Sequence, residues 1–359
     1  MKNIFVELAL SIGMIATIPQ WSSAAWVKTS VTDGAPIRAL AVSGSNLFAG
    51  TFGDGILLST NNGESWNVVN TGLANPYVLS LLVNGQNILA GTNDSNVFLS
   101  ANNGTSWSNV NSGNLSRSIQ CFIASGTNIF AGNTIGIIVT SNNGHNWESV
   151  NSGLPSDKDV QALAVCGQNL FAGLHNNGVY LSTNSGANWS EKNSGMTGID
   201  VLSFTVNGSN LYAGTLDGGV FLSTDNGLNW NSINTGLPDP YIWTLLAYGS
   251  NIFAGDYSHG VYLTTNNGKS WVDVDSGLPN EPIYALIVSG KYLLAGTDSS
   301  GIWRRPLSEM ISETVLDNPQ EQKHCGCGTG TGLAFIPPIW FKGRAIWKRK
   351  LKQNDKNKR

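Results

Sequence analysis

The sequence predicts an all-β fold, a seven-bladed β-propeller of four-stranded blades, and three observations carry that prediction. Ala-Gly occurs at 49–50, 90–91, 131–132, 172–173, 213–214, 254–255 and 295–296, a constant spacing of 41 residues. Each unit of that length holds four short strand-like runs, and a period near 40 with such contents is one propeller blade. The two ends of the array are complementary fragments of one further unit, which closes a ring. A solenoid would share the period but would leave those partial units unexplained.

The unit that begins at Val201 shows the elements in order. Runs of β-branched and aromatic residues occupy 201–206, 211–215 and 219–224, and a fourth begins at Trp230 and ends at Ile233. Gly, Asn and Asp bound every run, which is the pattern of strands joined by tight turns. At the start of the array, Trp26-Val-Lys-Thr-Ser-Val reads as a fourth strand without its blade. At its end, 283–288, 292–296 and 301–305 supply three strands without a fourth. Pairing the two fragments makes the seventh blade and removes two exposed sheet edges.

Between the third and fourth runs lies Ser/Thr-x-Asn/Asp-x-Gly-x-x-Trp. It occurs six times, with Asn61, Asn102, Asn142, Asn184, Asp225 and Asn266 at its third position and Trp66, Trp107, Trp147, Trp189, Trp230 and Trp271 at its end. The Asx side chain is suited to accept backbone N–H groups across a turn, Gly to take a positive φ, and Trp to fill the space beside the hairpin. The motif resembles the Asp-box, or BNR, repeat of sialidases, sortilin-type receptors, xyloglucan-cleaving enzymes and photosystem II assembly factor-like proteins. The resemblance extends over nearly all of residues 26–305 and implies a propeller of that superfamily. With Asn at five of the six third positions, a catalytic carboxylate is excluded at most of them. The twelve residues are read as structural.

Composition bounds the rest. Of 359 residues only 12% are charged, while Gly numbers 42, so turns and neutral polar strands dominate. The span 26–305 carries 17 acidic and 9 basic residues, and the chain from 306 onward carries 5 and 10. An acidic repeat region argues against nucleic acid as its partner. The N-terminus has Lys2, an apolar stretch from 4 to 18 interrupted by Glu7, and Ser23-Ala24-Ala25. It reads as a signal peptide over 1–25 and makes the protein an exported one, periplasmic, extracellular or attached to the cell envelope.

After the propeller at 26–305, a polar linker at 306–324 leads to a tail at 325–359. The tail holds Cys325-Gly-Cys327, an apolar segment with Pro337-Pro338, and nine basic residues among the last eighteen. This order resembles the tripartite sorting tails of exported bacterial proteins. Two other readings fit it: contact with an anionic membrane surface through Trp340, Trp347 and the lysines, or a disordered basic segment. Its apolar part is about half the ~20 residues a spanning helix needs. Cys325 and Cys327 read as a processing or lipid site or a redox pair. Cys121 and Cys166 lie in strand runs and are expected as buried thiols.

A site is sought where the period fails, because repeated positions answer to packing. Twelve residues before each Ala-Gly glycine stand Arg38, Leu79, Gln120, Gln161, Leu202, Trp243 and Tyr284, each after an invariant Val or Ile. This register falls at the head of the innermost strand, at the funnel mouth. Arg38, Gln120, Gln161, Trp243 and Tyr284, with Tyr241 nearby, are the ligand-binding candidates: rings, amides and a guanidinium suit a sugar or a peptide. The competing reading is that they plug the channel.

Enzyme chemistry is thinly represented. Resemblance to sialidases implies three arginines, a Tyr nucleophile paired with an acid, and an Asp acid/base. The propeller has only Arg38, Arg117, Arg304 and Arg305, and no Arg-Ile-Pro element. Resemblance to the xyloglucan-cleaving enzymes implies two propellers with paired carboxylates in the cleft between them, and this chain has one propeller. Asp200 and Asp239 are weak candidates for an acid/base pair. His145, His175 and His259 show no metal-ligand spacing, and no nucleotide-binding loop is present, so neither metal nor cofactor is expected. The reading that results is a non-catalytic, exported, monomeric scaffold holding a protein or carbohydrate ligand at the funnel mouth. The alternative is a glycoside hydrolase working on the same face.

Overall fold

The protein was analysed as a computed structural model, which describes residues 25–31, 34–111, 117–238 and 241–311. The expected signal peptide through residue 24, the tail from 325 and Asp239 lie outside the described residues. The described residues form seven four-stranded antiparallel sheets. The first holds Ile37–Ser43, Asn46–Thr51, Ile56–Ser59 and Asn67–Val68, and the others repeat it. The innermost strands touch one another in chain order round a ring, with Ile283–Ser289 of the last blade against Ile37–Ser43 of the first.

The ring closes as the end fragments predict. Val27–Lys28 is the outermost strand of the seventh sheet, with Val27 opposite Arg304 and Lys28 opposite Trp303. Only two residues form the strand proper, but the Thr29 amide continues it by donating to Ile302 O at 2.9 Å. Trp26 also reaches the sixth blade, its amide donating to Ser276 O at 2.9 Å and its indole Nε1 to Val274 O at 2.7 Å. The packed core runs past Arg305, since Leu307, Met310 and Ile311 are buried beside Trp26 and Leu293.

The Ala-Gly period has a steric cause. Each glycine faces the next blade's invariant Val or Ile: a Cβ on Gly50 would lie 2.7 Å from Val78 Cγ1, and one on Gly173 would lie 2.5 Å from Val201 Cγ1. Any side chain would force the blades apart, so glycine sets the blade spacing.

The eight-residue turns are self-contained. Ser59 Oγ donates to Asn61 Oδ1 at 2.9 Å and accepts the Gly63 amide at 2.9 Å, while Asn61 Oδ1 accepts the Ser65 amide at 3.0 Å. Asn62 and Gly63 follow each other at φ 56° and 76°. The same bonds recur in the turns of Asn102, Asn142, Asn184, Asp225 and Asn266. These shared bonds use the Asx Oδ1 as an acceptor, which Asn and Asp both supply; the second terminal atom differs, Asn61 Nδ2 donating to Ser65 Oγ at 2.9 Å and Asp225 Oδ2 accepting from Asn229 Nδ2 at 2.8 Å.

The terminal Trp does more than fill the space beside its own hairpin. It reaches the preceding blade: Trp107 Nε1 donates to Val69 O at 2.8 Å, Trp189 to Val150 O at 2.8 Å and Trp230 to Lys192 O at 2.9 Å. The outer strands are two residues long and exposed, so the neighbouring blade offers the dry surface a large ring needs.

Candidate functional site

Antiparallel order puts the connections between blades and the turns between second and third strands on one face, and the Trp-ending turns on the other. On the first face every inner strand carries a bulge. Ile37 pairs with Thr51 and Ala39 with Gly50, which leaves Arg38 as an extra residue. The same skip falls on Leu79, Gln120, Gln161, Leu202, Trp243 and Tyr284. A bulge turns its side chain out of the strand's alternation. The variable register found by spacing is therefore the bulge register, which frees it from the shared packing.

These seven residues close the funnel, as none is more than 5% exposed. On one side they pack ring on ring. Trp243 meets Tyr284 edge-to-face at 5.5 Å, the Arg38 guanidinium sits 4.1 Å from the Tyr284 ring centre, and the Tyr284 hydroxyl donates to Asp298 Oδ1 at 3.0 Å. Burial pushes the Tyr284 phenol well up, which keeps it a donor. Burial also lowers the Arg38 pKa, with Tyr284 and Asp298 opposing that shift. On the other side lie two amides. Gln161 Nε2 donates to Asp159 Oδ1 at 2.6 Å, while Gln161 Oε1 and both amide atoms of Gln120 have no partner among the described residues.

Directly above lies a second variable ring that the sequence reading missed. Two residues after each Ala-Gly glycine stand Phe52, Asn93, Thr134, His175, Leu216, Tyr257 and Asp298, and all seven are half-buried. Backbone bonds fix them: the amides of Phe52, Asn93, His175, Leu216 and Tyr257 donate to the carbonyls of Pro36, Tyr77, Asp159, Asp200 and Tyr241. Tyr257 stacks on Trp243 at 5.9 Å, and the Phe52 ring lies 5.6 Å from Arg38 Cζ. Tyr241 is half-buried in the connection that leads into Trp243. The signal for this ring was the same period, read two residues beyond the glycine.

Asp200 is engaged. It accepts the Asn176 amide, and its Oδ1 lies 3.1 Å from His175 Nδ1, a close charge contact rather than an aligned hydrogen bond. Burial raises its carboxyl pKa, but His175 and the Asn176 amide outweigh this and hold it below the ordinary carboxylate value. His175 is raised by Asp200, against burial. Asp159 is pushed up by burial, with His175 and Gln161 opposing. Described acids on this face are Asp54, Asp94, Asp157, Asp159, Asp200, Asp217, Asp256, Asp275, Glu281 and Asp298, against Arg38, Arg117 and Lys158. Among the described residues no group of His, Cys, Asp or Glu is placed to hold a metal ion. Cys121 and Cys166 are buried, as expected from their strand positions.

Residues 179–293 match the family model described as the DUF6242 beta propeller domain. No curated protein matches the sequence. Among solved structures, YCF48 from Cyanidioschyzon merolae is similar at a TM-score of 0.64 and 14% identity, covering 80% of this chain and 100% of its own. A YCF48 bound to a D1 peptide gives 0.64 and 13%, covering 80% of this chain and 96% of its own. The GH74 xyloglucanase of Xanthomonas campestris gives 0.63 and 13% over 81% of this chain, which spans 55% of the enzyme chain. Identities this low show a shared propeller fold.

Proposed function

We propose that the protein is an exported, non-catalytic propeller that serves as a binding or assembly scaffold and takes a protein or glycan ligand on the face carrying the two variable rings. The observation that carries this reading is the upper ring. Phe52, Asn93, Thr134, His175, Leu216, Tyr257 and Asp298 are chemically unlike and all half-buried, in a chain most of whose registers repeat. They stand on a closed floor of bulge residues, so a ligand meets Tyr257 and Tyr241 first and reaches only the rims of Trp243 and Tyr284. Half-buried aromatic rings beside polar groups suit a peptide or a sugar. The structural neighbour that holds a D1 peptide supports the peptide alternative.

A glycoside hydrolase on this face would need a carboxylic acid that keeps its proton for the leaving group. Asp200 is held ionised by His175 and the Asn176 amide, which disfavours that role. Peptide and glycan arrays probed with the full chain, followed by a turnover assay on every hit, test the proposal. Binding without turnover that weakens in Tyr257→Ala supports it. Turnover abolished by Asp200→Asn contradicts it.

A further inference from the structure

The funnel floor differs between its two sides. On the blades of Trp243, Tyr284 and Arg38, stacked rings fill it, with Arg38 Nε and Trp243 Nε1 also unpartnered among the described residues. On the blades of Gln120 and Gln161, amides with 0% and 2% exposure leave three polar atoms without partners among the described residues. An unpaired buried polar atom costs about 1–3 kcal/mol, and such groups in folded proteins point to a water, an ion or a ligand that supplies the missing bonds.

The surroundings narrow what that group is. Gln161 binds Asp159 Oδ1 through Nε2, so its unpaired oxygen lies within one amide group of a carboxylate. The His175 amide donates to Asp159 O at 2.9 Å, and the His175 ring contacts Asp200. Asp157 and Asp217 add their charge to the same quarter of the face. Two of the three unpaired atoms are amide oxygens, and with carboxylates beside them they call for a donor that is also a cation, which ammonium and guanidinium groups supply; the third, Gln120 Nε2, is itself a donor and is not served by a cation.

We propose that the Gln120–Gln161–Asp159 side of the funnel is a binding site for the cationic side chain, Lys or Arg, of a polypeptide. The proposal rests on the reading that this face binds a ligand and specifies that ligand's chemistry. The half-buried Asp159 carboxylate meets the cation's N–H groups first, the oxygens of Gln120 and Gln161 in the closed floor accept them only as the cation displaces that floor, and His175 with Asp200 forms the rim. The excess of acids over bases on this face draws such a segment in. Two sources share this chemistry: a separate basic polypeptide, or the chain's own last eighteen residues, nine of which are basic.

The test is titration calorimetry with a ten-residue peptide carrying four arginines and its counterpart carrying four citrullines, which keep the shape and lose the charge. Both are titrated into the full chain and into a chain ending at Phe341. The arginine peptide is expected to bind at least about ten-fold more tightly than the citrulline peptide. Gln161→Leu and Asp159→Asn are each expected to remove about ten-fold from the arginine peptide alone. Gln120→Leu provides a second polar-to-apolar variant should either fold poorly, and melting curves verify each. A gain of about ten-fold on removing the tail assigns the site to the tail, and an unchanged affinity assigns it to a separate polypeptide. Both outcomes support the site. Equal affinity for the two peptides, or an arginine-peptide affinity indifferent to Gln161→Leu, overturns it and leaves internal water as the partner of the amides. An array ligand that needs Tyr257 but ignores charge and Gln161 would remove the cation site and leave the binding face standing. Absence of any ligand on the face would remove the binding reading itself.

Discussion

Gly296 of the last blade stands against Ile37 of the first: a Cβ on Gly296 would lie 2.6 Å from Ile37 Cγ2 and 2.9 Å from Ile37 Cβ. This is the seam that makes the array a ring, and it repeats the contact between every earlier pair of blades. Because Ile37 Cβ is fixed to the backbone, the clash cannot be relieved by a side-chain rotation. Gly296→Ala is expected to destabilise the fold by about 1–3 kcal/mol, measured by urea unfolding. Ile37→Ala in the same chain should recover part of that loss. A Gly296→Ala chain as stable as the parent would show that the seam is loose.

The second fastener of the ring is Trp26, buried against the sixth and seventh blades with its indole on Val274 O. Trp26→Ala is expected to cost about 3–5 kcal/mol, and deletion of 26–31 should expose Ile302–Pro306 as a free edge and open the ring to limited proteolysis. Trp107→Phe, which removes one indole bond to Val69 O, is expected to cost only about 1 kcal/mol. Deletion without loss of melting temperature or protease resistance would contradict closure by this strand.

The ring was legible because its causes recur every 41 residues, and glycine against Val or Ile leaves a mark at each turn of the period. The bulges were not legible. A bulge is a property of pairing, and Arg38 looks like any strand residue until Ile37 is seen opposite Thr51 and Ala39 opposite Gly50. The destination of Trp107 was hidden for a similar reason: the turn chemistry is local, but the indole's partner, Val69, belongs to another blade. The upper variable ring lay in plain sight two residues past each glycine. Asn93 and Asp298 there read as ordinary turn residues, and only the common half-buried setting of all seven positions separates the ring from a turn.

A pH effect follows from Asp275. In five blades an Asn at this register accepts a third-strand amide, as Asn70 does from Ile56 at 2.7 Å and Asn234 from Val220 at 2.8 Å, while its own amide donates to a turn carbonyl. An ionised Asp has no proton to donate. Burial, then Asp273, then Asp256 push the Asp275 carboxyl from 3.8 up to about 7, with His259 opposing. A raised folded-state value favours the native state at low pH, so this contribution is complete below about 3.8 and is lost as pH rises toward about 7. Asp275→Asn is expected to stabilise by about 1 kcal/mol at pH 8 and by less at pH 5, read from paired melts. Equal gains at both pH values would contradict this account.

His175 offers a site-resolved titration. Its contact with Asp200 holds the imidazole above 6.5 against the opposing effect of burial. Its contribution to stability is present below 6.5 and is lost as pH rises through the folded value. A proton NMR titration should therefore find the His175 midpoint above 6.5, and Asp200→Asn should bring it down. A midpoint at or below 6.5 that ignores Asp200→Asn would mean that the two side chains do not interact.

The repeated frame packs, and the half-buried upper ring is the proposed binding surface. Titration calorimetry of one array-selected ligand against the full chain, Tyr257→Ala and Trp107→Phe tests it most directly. A loss of at least about ten-fold is expected for Tyr257→Ala, in keeping with aromatic anchors at binding surfaces, and an unchanged affinity for Trp107→Phe. Unaltered binding by Tyr257→Ala, with the loss appearing in Trp107→Phe instead, would contradict it.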